Sequence, residues 1–322
     1  MSGNPEPRTP PVPPPNTLAL PSAPLADGSL DLLDALVFAA QDRRAPRPYL
    51  PALRARLVRR AAASVRANRA MVTVRHAAAA MARASEQARL QTLYLAAQGT
   101  LRPGEPLHVL LIELVPDGQL VIDAPAPGVQ REWLQLRGRT ELADNRSTAI
   151  SLEPLDFHVV PAAASDDAHL CTGTTSAAPA APHTIRSDAQ GALLFLRESL
   201  QRAEPGETPR TVRDADTPWK PYAPQVERRV LWRRGAMAAL LYRAAPGALV
   251  PQHAHGHDEE CLVLRGEAFQ DDCLLREGDY QLAPAGSSHM SGHTDVGAIF
   301  YIHGDIELDF QTSPTAAAAP AA

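Results

Sequence analysis

The chain has 322 residues and a hydrophobic content of 45%, enough for cores in about two domains. Its formal net charge of −5 provides no overall positive field for nucleic acid or for an anionic membrane. The three cysteines include no CxxC pair, no apolar run reaches the length of a membrane span, and the N-terminus is proline-rich rather than basic and then apolar. We therefore expect a soluble cytoplasmic protein without a disulfide framework.

The N-terminal region predicts a tail followed by helices. Residues 1–27 are rich in proline and predict a disordered tail, and residues 312–322 predict a second one. The segment 28–68 predicts two helices, because its apolar residues recur at helical spacing. These residues are Leu30, Leu33, Leu36 and Val37, then Leu53, Leu57, Ala61 and Val65. Arginines within 54–66 give the second helix a basic face, which is either solvated or in contact with an acidic partner protein.

The rest of the chain contains an internal repeat of short alternating strands. Four blocks of the first copy have counterparts in the second copy, in the same order. The pairs are 88–94 with 226–232, 118–138 with 247–266, 155–161 with 278–284, and 191–199 with 297–305. Such a repeat predicts a duplicated β-barrel. We place the first barrel at 69–200, a linker at 201–217 and the second barrel at 218–311.

The second copy carries a cluster of metal-binding residue types. Side chains alternate between the two faces of a strand, so His253 and His255 point the same way while Ala254 points away. Glu259 follows after a short turn, and His289 comes from a second strand. Imidazole and carboxylate together suit zinc, iron, manganese, nickel or copper. We predict that these four residues bind one divalent transition metal, with zinc preferred over iron or manganese.

These spacings carry a family resemblance. Residues 247–266 (G-x5-H-x-H-x3-E-x6-G) and 278–289 (G-x5-P-x-G-x2-H) resemble the two cupin motifs, and residues 211–311 more narrowly resemble the ChrR-type cupin. The resemblance implies two cupin barrels in a mainly β chain, preceded by a short α-helical segment. It also implies that 28–68 contacts a sigma factor. Anti-sigma domains of that family usually carry a zinc site with a CxxC pair, and this chain has no cysteine before Cys171.

The first copy lacks the metal-binding residues. Arg131 stands at the position of Glu259, Asp166 at that of His289, and Asp123-Ala124-Pro125 at that of the two histidines. An arginine in the pocket would repel a cation, so we predict a metal-free first barrel.

Several neighbours of the motifs are given other roles. His293 replaces the asparagine of the second cupin motif and is predicted to support the site, while His257 falls in the turn and is predicted to be exposed. Glu260 has the opposite strand phase to Glu259 and should face away. Cys261 and Cys273 are interpreted as small core residues.

The residues leave three functions open. The first is a regulatory or sensor protein related to anti-sigma factors, in which the metal stabilises a pocket that binds a small molecule. The second is an Fe(II)-dependent dioxygenase acting on a small diketone or aryl ketone, and the third is Lewis-acid chemistry or a purely structural metal. Side chains considered for the barrel lining are Tyr280, Gln281, Met290, Phe300, Tyr301 and His303. No direct nucleic-acid or membrane partner is expected, and the chain forms either a monomer with paired barrels or a homodimer.

Overall fold

A computed structural model describes residues 51–78, 81–97, 102–144, 149–162, 181–202, 204–307 and 309–310. The chain divides into two compact units, Met1–Arg56 and Leu57–Ala322. The predicted tails at 1–27 and 312–322, and the first predicted helix, lie outside the described residues. Within the described part of the chain, no helix combines the length and apolarity needed to cross a membrane.

One helix, α1 (Pro51–Arg69), occupies the position of the second predicted helix. Its last turn carries Arg66 and Arg69, whose positive charges interact favourably with the helix dipole. The predicted apolar stripe is only partly covered, since Leu57 and Val65 are each about half exposed.

The first group of strands comprises β1 (Val72–Val74), β2 (Ala82–Arg83), β3 (Ala88–Leu95), β4 (Pro106–Leu114), β5 (Gln119–Ile122), β6 (Val129–Asp144), β7 (Ile150–Leu152), β8 (Phe157–Val160) and β9 (His183–Leu200). The second group comprises β10 (Arg210–Val212), β11 (Lys220–Ala223), β12 (Val226–Arg234), β13 (Met237–Ala244), β14 (Leu249–Val250), β15 (His253–Ala254), β16 (Glu259–Gln270), β17 (Cys273–Arg276), β18 (Tyr280–Ala283), β19 (Ser288–His289), β20 (Gly292–His293), β21 (Ala298–Asp305) and β22 (Asp309–Phe310). The mainly β fold class is confirmed, with an α-helix preceding the strands in the described part of the chain.

Two large sheets repeat the same strand order. One runs β10-β8-β6-β9-β4-β3-β2 and the other β1-β18-β16-β21-β13-β12-β11. The long central strands correspond, because β6 pairs with β8 and β9 just as β16 pairs with β18 and β21. A small third sheet, β19-β15-β22, carries the histidines of the second copy. We refer to the sheet system of β2–β9 as the first barrel and to that of β11–β22 as the second barrel.

The two barrels exchange edge strands. Strand β1 precedes the first barrel but pairs with β18 of the second, and β10, within the predicted linker, pairs with β8 of the first. Each exchanged strand is followed by an arginine that binds an aspartate of the barrel it joins. Arg75 lies 2.8 Å from Asp279, and Arg213 lies 2.8 Å from Asp156. The strand that precedes each copy therefore completes the sheet of the other copy.

The two barrels share a core that encloses a buried charge network. Apolar side chains of both barrels form one cluster, which includes Leu134 and Phe195 of the first barrel and Leu262 of the second. Within it, the Nε of Arg197 donates to Glu260 at 2.7 Å and the Nη1 to Glu132 at 3.3 Å. All three charged side chains are at most 1% exposed. Because an arginine joins a carboxylate from each barrel, the network links the two halves electrostatically.

Three residues considered for the barrel lining belong to this shared core. The hydroxyls of Tyr280 and Tyr301 donate to Glu260 and Glu132, each at 2.9 Å. His303 lies 3.6 Å from Glu132. These three residues do not line the pocket of the second barrel, because strands β18 and β21 are buried on both faces and these residues occupy the face toward the first barrel. Glu260 faces away from Glu259, as predicted.

Candidate metal centre

The four predicted ligands come from two adjacent strands and the start of a third. His253 in β15 is the direct cross-strand neighbour of His289 in β19. His255 follows β15, and Glu259 opens β16. All four side chains are buried, whereas Ala254 between the histidines is only half-buried. The alternation that the sequence implied therefore gathers the three rings on one side.

The donor atoms lie close together. One donor atom from each of His253, His255 and Glu259 lies within 4.8 Å of the others. The ring centroid of His289 lies 5.0 Å from that of His255 and 5.6 Å from that of His253. Ligands about 2.0–2.2 Å from one ion stand roughly 3–3.5 Å apart, so small side-chain adjustments would bring these groups onto a single metal.

Two ring nitrogens at the centre of the cluster have no hydrogen-bond partner among the described residues. They are the Nε2 atoms of His255 and His289, both buried. A buried polar atom left unsatisfied costs about 1–3 kcal/mol. The Glu259 carboxylate lies 3.6 Å from the Nε2 of His255 and is buried as well. A cation at this point would engage both nitrogens and the carboxylate, so the residues present fit a bound metal.

The other nitrogen of each imidazole contacts a neighbouring oxygen. The Nδ1 of His255 lies 3.0 Å from the Ser287 hydroxyl, and the Nδ1 of His289 lies 3.1 Å from Asp271. The Nδ1 of His253 lies 3.0 Å from the carbonyl of Pro251, to which it donates. Such contacts hold the rings in place and direct each Nε2 toward the centre of the cluster, as is usual for metal-binding histidines.

The sequence did not identify Ser287 and Asp271 as supporting residues. Asp271 also accepts the backbone N–H groups of Met290, at 2.6 Å, and Ser291, at 3.2 Å, so it orders the segment that carries His289. Its φ of 53° places it in the tight turn between β16 and β17. A turn aspartate is common in any β protein, so its pairing with His289 emerges only from the fold.

Electrostatics favour a cation at the cluster. Burial lowers the pKa of His255 to about 4, with His253 adding to the effect, and burial also lowers the pKa of His289. The imidazoles of His255 and His289 are thus held neutral, the state that binds metal. Burial raises the pKa of Glu259 although nearby histidines act in the opposite direction. A bound cation would compensate the charge of this carboxylate.

The remaining predicted residues lie around the cluster. His257 lies 2.5 Å from Asp305 with its side chain 42% exposed, in line with the predicted turn position. His293 stacks on Phe269 with ring centroids 4.8 Å apart. Met290 is largely exposed, and Gln281 donates to Thr73, so the prediction that these two line the barrel was wrong. Asp166 and Cys171 lie outside the described residues.

A pocket leads to the predicted ligands inside the second barrel. It encloses about 850 Å³, including its solvent-open mouth, and reaches His253, Glu259 and His289. Most of its wall is apolar. The other lining residues are Tyr222, Ala223, Val226, Tyr242, Ala244, Ala248, Val250, Pro251, Cys261, Ala268, Phe269, Gln270, Gly292, His293, Thr294, Phe300 and Ile302. Phe300 is the one member of the proposed lining set found there.

The helix end is attached beside the cluster. Asn68, near the end of α1, accepts from the backbone N–H of Ser288 at 3.0 Å and donates to the Ser288 carbonyl at 3.3 Å. Ser288 directly precedes His289. The final turn of the helix is therefore hydrogen-bonded to the short strand that carries a predicted ligand.

In the first barrel, an ion pair occupies the position of the metal cluster. Arg131 pairs with Val160 in β8 just as Glu259 pairs with Ala283 in β18, which confirms the alignment of these positions. The Nε of Arg131 donates to Glu198 at 2.7 Å, and its Nη1 lies 3.2 Å from the Nδ1 of His183. The charge of Arg131 is therefore compensated inside the first barrel.

Comparison with protein families identifies the C-terminal region. Residues 207–307 match the family model described as the ChrR cupin-like domain. This region is a ChrR-like cupin domain. No protein with a curated description matches the chain.

Solved structures share the fold beyond this domain. A Pseudomonas aeruginosa protein named as glyoxylate-induced superposes with a TM-score of 0.56 at 13% identity, covering 76% of this chain and 92% of its own. Ylba from E. coli gives 0.54 at 12%, with coverages of 74% and 93%. A mutant of Bacillus subtilis oxalate decarboxylase gives 0.51 at 14%, with coverages of 73% and 78%. These likenesses establish a cupin-type fold that extends from the ChrR-like domain into the first barrel.

Proposed function

We propose that the ChrR-like cupin domain holds one divalent transition metal through His253, His255, Glu259 and His289. The observation that carries this proposal is the pair of buried, unpartnered Nε2 atoms of His255 and His289 beside a buried carboxylate. Zinc is our first choice. Iron and manganese are alternatives, because the same donor groups bind all three metals. When bound, the metal would supply a Lewis-acidic coordination position at the inner end of the pocket.

We further propose that this site serves regulation, as a sensor pocket. Beyond the predicted ligands, the ionisable groups along the described pocket wall are few: Cys261, His293, Tyr222 and Tyr242. Burial raises the pKa values of Cys261 and Tyr242, so neither is suited to donate or accept a proton near neutral pH. A pocket poor in acid and base groups favours binding over catalysis.

The contact between α1 and the metal strand supports the regulatory role. Metal or ligand binding that shifts His289 would also strain the two hydrogen bonds between Ser288 and Asn68. The arginine-bearing helix is the segment that we propose to contact an acidic partner such as a sigma factor. A co-purification test with each sigma factor of the source organism addresses this directly: a stable complex that Asn68→Ala weakens supports the role, and the absence of any complex contradicts it.

A dioxygenase is the second candidate. The pocket opens onto three of the predicted ligands, so a substrate and oxygen would both have access to a metal held there. Its apolar wall also suits a diketone or aryl ketone. Iron in the isolated protein together with oxygen uptake on adding such a compound would favour this candidate, whereas zinc-loaded protein without oxygen uptake would reject it.

Elemental analysis tests the metal proposal. We expect one metal per chain in the full-length protein and less than a tenth of that in His253→Ala and Glu259→Ala. His257→Ala is the matched control, because this histidine lies in the same turn but is hydrogen-bonded to Asp305. This variant should retain full metal content. Equal metal content in all three variants would contradict the assignment.

A further inference from the structure

The pocket of the second barrel has a chemically distinct wall. Apart from the predicted ligands, most residues that line it are aliphatic or aromatic, and no lysine or arginine lines it among the described residues. The guanidinium of Arg228 lies behind this wall, 4.3 Å above the Tyr222 ring; it donates to the Ile306 carbonyl and to Glu307 and also interacts with the Tyr242 hydroxyl. Its charge is compensated by Glu307 rather than offered to a ligand.

Two polar groups on this wall have unsatisfied hydrogen-bonding capacity. The buried hydroxyl of Tyr242 has the Arg228 guanidinium as its neighbour but has no acceptor for its own proton among the described residues, and the whole side chain is only 8% exposed. The amide oxygen of Gln270 is buried and unpartnered as well. Buried polar groups normally have partners, so these two groups offer hydrogen-bonding capacity that a bound molecule would satisfy.

The position of Gln270 connects this wall to the metal end. It directly precedes Asp271, which contacts His289, and it pairs across the sheet with Gly292. Tyr242 lies on β13, with its ring centroid 5.3 Å from that of Tyr222. The two polar groups therefore come from different strands of the same pocket.

We propose that this pocket binds an uncharged, largely apolar small molecule with an aromatic-sized body, and that Tyr242 and Gln270 recognise its polar group. The proposal rests on the metal site described above, since the inner end of the pocket is formed by the predicted ligands. A concave, mostly apolar pocket with a few convergent polar groups is typical of small-molecule sites. A hydroxyl or amide on the ligand would satisfy both buried groups.

The same wall disfavours dicarboxylates. The cation at the inner end could compensate one carboxylate, but a second would be buried against apolar side chains without a positive partner, which is strongly unfavourable. This argument applies to extended dicarboxylates such as naphthalene-2,6-dicarboxylate, whose two charges lie too far apart to share one cation.

Calorimetric titration of the full-length protein tests this inference. The probes are 2-naphthamide, which is neutral, and naphthalene-2,6-dicarboxylate, which has the same rings and two charges. Both are titrated into zinc-loaded and zinc-free protein, with zinc content measured on the same samples. We expect 2-naphthamide to bind the zinc-loaded form at least tenfold more tightly than the dicarboxylate.

Substitutions in the pocket wall test whether 2-naphthamide binds there. Tyr242→Phe and Gln270→Leu should each weaken 2-naphthamide binding about fivefold to tenfold, the loss of one hydrogen bond. Val250→Trp, which narrows the pocket wall, should abolish binding. The controls are Tyr94→Phe and Gln190→Leu, in the first barrel and outside the pocket, which should bind like the unmodified protein.

The outcomes separate the two proposals. Zinc at one per chain without 2-naphthamide binding, or with tighter dicarboxylate binding, overturns the ligand class and leaves the metal site standing. Binding of 2-naphthamide that the pocket variants weaken, in protein that takes up no zinc, supports the ligand class and overturns the metal site. If the pocket variants and the controls bind equally well, the assignment of Tyr242 and Gln270 is wrong.

Discussion

The two barrels share a backbone plan but have opposite interiors. Where the second barrel has Glu259 and Gly304, the first has Arg131 and Glu198, which form an ion pair. Where the second has Cys261, the first has the fully buried Trp133. A large indole and an internal ion pair fill the space that the second barrel keeps as a pocket. The two repeats thus differ in their interiors: the first is filled by side chains, and the second contains a pocket that reaches the predicted ligands.

Both copies have the same close approach between the backbones of neighbouring strands. Gly138 and Gly266 both adopt positive φ values, 69° and 75°. A Cβ atom at either position would lie 2.0–2.1 Å from the backbone oxygen of Gly191 or Gly297. Only glycine permits this close approach of strands. The close approaches of the backbone are therefore the same in both copies, whereas the interior side chains differ at a few positions.

Replacing interior residues of the second barrel by their counterparts in the first should have the largest effect on metal content and stability. Glu259→Arg removes a predicted ligand and buries a cation without a carboxylate partner, so we expect complete loss of metal and a destabilisation of about 3–5 kcal/mol. Adding Gly304→Glu recreates the pair found in the first barrel and should recover part of that stability without restoring metal. Urea unfolding and elemental analysis of both variants measure this.

A double variant that recovers no stability would also be informative. The Cβ of a residue at 304 would lie 3.3 Å from the Glu259 Cα, so the double variant must shift the strand slightly. If the double variant is no more stable than Glu259→Arg alone, the two interiors are not interchangeable, and the ion pair of the first barrel depends on more than these two positions.

Breaking the link between the barrels should have the next largest effect. Arg197→Met leaves Glu132 and Glu260 buried without their shared cation and should destabilise the chain by about 3–5 kcal/mol. Arg137→Met is the matched control, because its side chain is 70% exposed and its ion pair with Glu113 is solvent-screened. Urea unfolding should show a large loss for the first variant and little change for the second. Equal losses would mean that the network does not couple the halves.

Much of the fold was predictable because the duplication repeats short motifs in order. The four repeated blocks and the alternation around His253 identified the corresponding strands of the two copies and the candidate ligands. The exchanged strands were missed, although Thr73-Val74-Arg75 and Thr211-Val212-Arg213 repeat the same three residues. A three-residue repeat is a weak signal, and nothing local indicates that each strand joins the more distant barrel.

Alternation alone could not assign the lining residues. It separates the two faces of a strand, but β18 and β21 are buried on both, so it cannot tell which face borders the pocket. Tyr280 and Tyr301 were therefore placed on the wrong side. The supporting residues Ser287 and Asp271 were equally invisible, because loops bring them to the histidines.

Acid should affect the first barrel through its own buried histidines. Burial lowers the pKa values of His158 and His183 to about 4, with His183 and Arg131 respectively adding to the effect. Unfolding restores values of about 6.5, so the unfolded state binds more protons below that pH. The stability contribution is complete above about pH 6.5 and is lost as the pH falls toward 4.

Substitution separates this effect from metal release. His158→Gln with His183→Asn should flatten the loss of stability between pH 6.5 and 4, measured by urea unfolding of metal-free protein. A slope unchanged by the double substitution would assign the acid sensitivity to groups outside the first barrel.

Substituting the arginines that follow the exchanged strands should have the smallest effect on stability. It also tests whether the two exchanged strands are equivalent. The side chains of Arg75 and Arg213 are 40% and 37% exposed, so solvent screening limits each ion pair to about 1 kcal/mol or less. Arg75→Ala and Arg213→Ala should cost the same within error, because each removes the same contact at the edge of a barrel. Their effects should add in the double variant, since the two pairs share no partner. A markedly larger loss for Arg75→Ala would show that the second barrel, hollowed by its pocket, depends more on its exchanged strand than the filled first barrel does.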